Sequence, residues 1–246
     1  MTDPPLLRLD QVGSTMDVLH ELAQGGAPPG AAVVAMEQTG GRGSRGRAWA
    51  SPRGGLWLSV LFRPTAVPGL ELLSLRLGLA VAHALELLGA PAIGLKWPND
   101  LMLGDRKLGG ILCEARWQGS APGWVAAGLG LNVANQSPPL LRAVATNLIS
   151  VLPGVTPDDL LVPVLAALRE VDPDAGALTA RERTHFQSRD WLHGRPLRAP
   201  AEGVAAGLSA EGALLVRLAA GATTAVRAGT VELADSPSSP YLRPCS

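Results

Sequence analysis

The sequence predicts an α+β protein with a mixed, largely antiparallel central sheet flanked by helices and a small C-terminal β-barrel. Two observations predict the large unit: strand-like apolar runs closely punctuated by glycine, and one long segment, Leu70 to Leu88, with apolar residues at spacings of three and four. A third predicts the barrel: after Gly194 the texture changes to short alternating runs separated by glycine turns. At 246 residues and 47% apolar, the chain has the material for one large core and one small one. The expected units are residues 1–193, 194–235 and a disordered tail, 236–246.

Ser14 to Ala23 reads as a short helix, with hydroxyls at its start, Asp17 in the first turn and Gly25 and Gly26 after its end. Ala31 to Met36 and Leu56 to Phe62 read as buried strands, joined by a segment of arginine and glycine. The helix over Leu70 to Leu88 stops at Gly89. Strands are predicted at Ile93 to Trp97, Leu101 to Leu103, Lys107 to Trp117 and Trp124 to Val133, with Asn99 and Asp100 as turn residues of the first hairpin. Thr156 caps a helix over Pro157 to Val171, and Ala177 to Leu192 follows as another. The five-stranded barrel is anchored on runs near Pro196 to Ala199, Val204 to Leu208, Leu214 to Leu218 and Thr224 to Arg227.

Composition excludes several classes. No run of ~18 uncharged apolar residues exists, so a membrane span is not expected. The start, with Asp3, Pro4 and Pro5, lacks the basic and apolar segments of a secretory signal. Only Cys113 and Cys245 are present, which suits free thiols in the cytoplasm. Zero formal charge argues against a broad electrostatic grip on DNA.

Positive charge is concentrated locally. Gly40 to Trp49 holds Arg42, Arg45 and Arg47 among four glycines and no acid, a composition suited to anions: backbone N–H groups approach the oxygens closely and guanidinium groups add bidentate bonds. It is neither a Walker loop nor a dinucleotide fingerprint. Of the 21 basic residues only Lys96 and Lys107 are lysines. A compact ammonium acts as a point charge on single oxygens, which arginine does not replace.

The segment GRGSRGRAW, Gly41 to Trp49, resembles the loop of biotin protein ligases, usually GRGRxGRxW. GSTMD at Gly13 to Asp17, EQTGGRG at Glu37 to Gly43, KWPNDLML at Lys96 to Leu103, RKLGGILCE at Arg106 to Glu114 and GLGLNV at Gly128 to Val133 resemble that family's motifs in its order. Ser44 departs from the usual arginine of the loop, and Met16 from an asparagine many members carry. The resemblance implies the class II synthetase-like catalytic fold of biotin and lipoate ligases with an SH3-like C-terminal barrel. It also implies a monofunctional enzyme that makes biotinyl-5'-AMP from biotin and ATP and passes biotin to a lysine of a biotin carboxyl carrier domain.

Joining a carboxylate to ATP brings two anions together, so the site must neutralise both. By resemblance Lys107 touches the biotin carboxylate and the α-phosphate, and the Arg42 loop covers the mixed anhydride and excludes water. Ser14, Thr15 and Gln38 are implied at the ureido ring, with Met16, Gly41, Gly43, Ser44 and Gly110 around biotin. Arg45, Arg47, Trp49, Asn99, Asp100, Gly130 and Asn132 are implied at ATP. Asp100 is the candidate partner of Mg²⁺ and a candidate base for the transfer step.

Rivals differ in testable ways. A lipoate or octanoate ligase of the same fold is expected to carry a different glycine signature. A biotin-responsive repressor needs an N-terminal DNA-binding domain of ~60 residues, whereas GSTMD starts at Gly13. A non-catalytic binding module leaves both lysines in adenylation motifs unexplained. The sequence leaves monomer and homodimer open.

Overall fold

Leu56–Phe62 shows how the sequence builds the large unit. All seven of its residues are buried, because this strand, β3, has helices against both faces. It belongs to a computed structural model that describes residues 3–235; the tail expected at 236–246, with Cys245, lies outside the described residues. The other strands of its sheet are β1 (Leu6–Val12), β2 (Ala32–Gln38), β4 (Gly94–Lys96), β5 (Asp100–Leu103), β6 (Arg106–Gln118) and β7 (Ala121–Leu131). Their order is β1-β2-β3-β7-β6-β5-β4, parallel only between β1 and β2.

Strand β1 was not anticipated. LLRLDQV has no clean alternation and is mostly exposed, as suits an edge strand that gains its register from backbone pairing with β2 rather than from a buried face. Helix α1 (Thr15–Gln24) packs Met16, Leu19 and Ala23 against Val33, Leu61 and Ala126 on one face of the sheet. Its first turn is fixed by Ser14, whose hydroxyl accepts from the Met16 N–H at 3.3 Å. On the opposite face lie α2 (Leu70–Leu87), ended by Gly89 at φ 94°, and α3 (Pro157–Arg169), opened by a reciprocal Thr156–Asp159 capping box.

Helix α4 (Ala180–Gln187) is shorter at both ends than Ala177 to Leu192. A Thr179–Glu182 capping box starts it late. After it, the backbone leaves the helix to cover β4: Leu95 N–H donates to the Arg189 carbonyl at 2.7 Å and Trp191 N–H to the Leu95 carbonyl at 3.0 Å. Covering that edge is worth more than another helical turn. Asp100 is likewise not a turn residue. The turn is Trp97–Asn99, and Asp100 opens β5 opposite Lys96.

The C-terminal unit is an antiparallel sheet of β8 (Pro196–Ala199), β9 (Gly203–Leu208), β10 (Leu214–Arg217), β11 (Thr223–Val226) and β12 (Glu232–Leu233), in the order β11-β10-β9-β8-β12. No ladder joins β11 to β12 among the described residues, so it is a five-stranded sheet and not the closed barrel expected. Its fifth strand, only two residues long, escaped the periodicity reading. Leu197, Ala205, Leu214 and Val216 from this sheet join the same apolar cluster as Leu72, Leu75, Leu95 and Trp97. Trp97 Nε1 donates to the Gly212 carbonyl across the junction at 3.0 Å. No helix among the described residues is long and apolar enough to cross a membrane.

Candidate active site

The side of the sheet that carries α1 also carries a strip without side chains. Gly110 of β6 pairs with Gly130 of β7, and Gly128 is two residues further along β7 opposite Leu112. Each glycine makes room for a neighbour. A Cβ on Gly128 would stand 2.7 Å from Met16 Sδ, and one on Gly130 2.5 Å from Trp49 Nε1. On Gly110 it would be 3.5 Å from both Asp100 Oδ1 and Lys107 Nζ. Met16, Trp49 and the Lys107–Asp100 pair lie over this strip, in close contact with the backbone that its glycines leave bare.

Lys107 Nζ donates to Asp100 Oδ1 at 2.5 Å, and lies 5.0 Å from the centre of the Trp49 ring. A register shift in the β5–β6 ladder, where Leu101 faces Gly109 but Met102 faces Lys107, skips Leu108 and turns Lys107 over Gly110. The lysine is 30% exposed and Asp100 22%, so the pair is held by the fold yet reachable. Lys96, across β4–β5 from Asp100, completes the charged end. Burial pushes its ammonium below the usual lysine range, Asp100 opposes that, and Lys107, Arg195 and Arg47 add to it. Sequence reasoning did not include Lys96 among the site residues; its scarcity as one of two lysines was the signal available.

At the α1 end the site is polar and internally satisfied. Gln38 Oε1 accepts from the Thr15 N–H at 2.9 Å and from the Thr15 hydroxyl at 3.0 Å, while its Nε2 donates to Ser51 Oγ at 2.8 Å. Thr15 Oγ1 also lies 2.8 Å from Ser59 Oγ. Ser14, Thr15, Ser51 and Ser59 are all buried. Ser51 and Ser59 were not anticipated: Ser51 stands at a lone bridge after the basic loop and Ser59 is a single serine in an apolar strand, and neither position carries a pattern.

The basic loop folds back on itself. Gly41 carbonyl accepts from Trp49 N–H at 2.9 Å and Gly43 N–H donates to the Arg47 carbonyl at 2.7 Å. A side chain on Gly41 would collide with Trp49 and Ser51. Ser44 fixes Arg47, accepting from its guanidinium on Oγ at 2.8 Å and on the carbonyl at 3.2 Å. Arg45, in the left-handed region at φ 61°, sends its guanidinium to the Thr230 hydroxyl of the C-terminal unit.

The structure brings together Lys107, Asp100, Gly110, Trp49 and Gly130, and separately Thr15, Gln38 and their serines. It does not bring the Arg42 guanidinium to Lys107. Arg42 forms a bidentate pair with Asp17, at 2.9 and 2.7 Å, and approaches Glu114 at 3.6 Å. The hydrogen bond from Arg42 holds the Asp17 carboxyl below its usual range despite partial burial. Asn99 ties its turn to β6 through Nδ2 and the Ile111 carbonyl at 2.7 Å. Asn132 Oδ1 accepts from Asn135 at 3.0 Å in a buried amide pair. Among the described residues no three His, Cys, Asp or Glu side chains cluster as a metal site. Asp100 offers a single carboxylate at this end of the site, bonded to Lys107. Burial pushes the Cys113 thiol up to about 12.

These features define an α+β domain whose mixed sheet carries a glycine strip beneath a lysine–carboxylate pair. The chain belongs to the biotin/lipoate A/B protein ligase family, whose model matches residues 9–132. It is 38% identical over 151 residues to the bifunctional ligase/repressor BirA of Bacillus spizizenii, covering 58% of this chain and 46% of that protein. It is 40% identical over 156 residues to the biotin–[acetyl-CoA-carboxylase] ligase of Mycobacterium tuberculosis, covering 61% and 56%. The chain thus spans about half the length of the curated relatives it matches. Among solved structures, the biotin protein ligase of Aquifex aeolicus in complex with biotin and ATP has a TM-score of 0.77 at 28% identity, covering 93% of this chain and 98% of that one.

Proposed function

We propose that this protein joins biotin to ATP as biotinyl-5'-AMP and then transfers biotin to a lysine of a biotin carboxyl carrier domain. The observation that carries the reading is the Lys107–Asp100 pair over the Gly110–Gly130 strip. It sets a partly exposed ammonium beside a strip of glycines on which Met16 and Trp49 rest. Support comes from the relatives: the Aquifex aeolicus structure holds biotin and ATP, and that of Leishmania major, 28% identical with a TM-score of 0.58, holds biotinyl-5-AMP.

In the first step the biotin carboxylate oxygen attacks the α-phosphorus, the acyl–phosphate bond forms, and pyrophosphate leaves. Lys107 leaves Asp100 to bridge the carboxylate and the α-phosphate, neutralising charge where it crowds in the transition state. Ser14, Thr15 and Gln38, with donors and acceptors in fixed order, take the ureido ring, and Met16 with Gly41, Gly43 and Ser44 encloses biotin. Trp49, Asn99, Gly130 and Asn132 line the nucleotide, with Arg45, Arg47 and Lys96 on the phosphate side. Asp100, released by Lys107, would be the carboxylate that meets the Mg²⁺ of MgATP, and the ion would supply charge neutralisation on the triphosphate. In the second step the neutral acceptor amine attacks the acyl carbon and AMP leaves, with Asp100 the candidate acceptor of the amine proton.

The same reading takes residues 1–193 as the catalytic unit and residues 194–235 as a small C-terminal unit whose five antiparallel strands, in an open sheet, resemble the SH3 strand content. It places the enzyme in the cytoplasm beside its carboxylase. Biotin-dependent exchange of labelled pyrophosphate into ATP tests the first step. Exchange with biotin and none with lipoate is expected; exchange with lipoate alone contradicts the reading.

A further inference from the structure

A chain of side chains behind the basic loop has no part in the reaction as described. Trp124 on β7 donates its indole N–H to His20 Nδ1 at 2.9 Å. His20 Nε2 lies 3.1 Å from Glu114 Oε2, and Glu114 Oε1 lies 3.6 Å from Arg42 Nε. Arg42 is closed off by the bidentate pair with Asp17, three residues before His20 on α1. His20 is buried, and both its ring nitrogens meet protein groups.

The order of donors is fixed by chemistry. An indole N–H only donates, so His20 Nδ1 is the acceptor and Nε2 carries the proton given to Glu114. That bond occupies Glu114 Oε2 and leaves Oε1 facing Arg42. We propose that His20 is a positioning residue for the basic loop, turning Glu114 so that Glu114 and Asp17 together hold Arg42, and with it residues 41–49, in place. The proposal deepens the ligase reading, since a loop held this way retains a reactive acyl-adenylate against water until the acceptor arrives.

Two readouts test it. In the ligand-free protein, His20→Leu is expected to raise amide hydrogen exchange in residues 41–49 about tenfold, as suits the loss of one anchoring contact, while His20→Gln, which keeps one donor and one acceptor, stays near wild type. With biotin and MgATP, His20→Leu should release several times more biotinyl-AMP into solution per biotin transferred. Unchanged loop exchange in His20→Leu, or an equal rise in the Leu and Gln variants spread over α1 and the β6–β7 hairpin, overturns the proposal. Absence of biotinyl-AMP in the wild type would sink the ligase reading while loop exchange still decides the role of His20. If His20→Leu does not fold, ¹⁵N resonances of His20 in the wild type decide: a protonated Nε2 and bare Nδ1, lost in Trp124→Phe, are expected, and a protonated Nδ1 overturns the assignment.

Discussion

Lys107 and Asp100 are one unit until a substrate divides them. Lys107→Ala is expected to cut biotinyl-AMP formation by about 100-fold or more, the loss of an electrostatic contact made in the transition state. Its thermal midpoint should stay within a few degrees, because the pair is partly solvated. Rates of adenylate formation and a melting curve on the same sample check both. Lys96 behaves oppositely. Its ammonium is depressed, chiefly by burial, so its charge opposes folding below the depressed value, and stability rises as pH climbs from there towards the ordinary lysine value. Lys96→Met should therefore raise the melting temperature at neutral pH while weakening MgATP binding, seen by calorimetric titration; a lowered melting temperature contradicts this. At this scale the sequence was legible where a residue type was rare or clustered, as with Lys107 and the loop arginines. It was not legible where roles depend on a rotamer: nothing in the spacing of Arg42 says that its guanidinium turns to Asp17 and Glu114.

Elements formed where local rules and tertiary context agreed. Helices α1, α2 and α3 begin and end at the caps that Ser14, Gly89 and Thr156 advertise, and β3 matches its predicted bounds. Context overruled pattern at β1, made by pairing with β2, and at residues 189–191, drawn out of a helix to cover β4. Arg76 shows the energetic weight of such context. Only 5% exposed, it joins α2 to Glu182 on α4 at 2.7 Å and to the carbonyls of Ala175 and Ala177. Glu182→Ala strands that charge and should cost about 3 kcal/mol, the low end for a broken buried pair because Glu182 is partly exposed. Burial opposes the charge on Glu182, yet the bonds from Arg76 and Thr179 outweigh it and hold the carboxyl below its usual range. Its stabilisation is then full above the ordinary glutamate value and lost as pH falls through the depressed one. Urea titrations at pH 7 and pH 3 should show the wild type losing more stability in acid than Glu182→Ala.

The whole molecule has one principal core. Leu214 and Val216 of the C-terminal sheet pack in the same cluster as Leu72 and Leu75 of α2, and Arg45 reaches Thr230 from the loop. Composition anticipated two units but not their shared interior, since apolar periodicity shows which face of an element is buried and not against what. Denaturation followed by near-UV and far-UV circular dichroism should give coincident single transitions; two separated ones would mean the units unfold independently. The central claim is biotin transfer, and intact-mass spectrometry of a carboxyl carrier domain incubated with this protein, biotin and MgATP tests it most directly. The carrier should gain one biotinyl group on its acceptor lysine, in proportion to time and only with ATP, and lose that gain with Lys107→Ala. An unmodified carrier, or one that gains lipoyl in place of biotinyl when both acids are supplied, would contradict it.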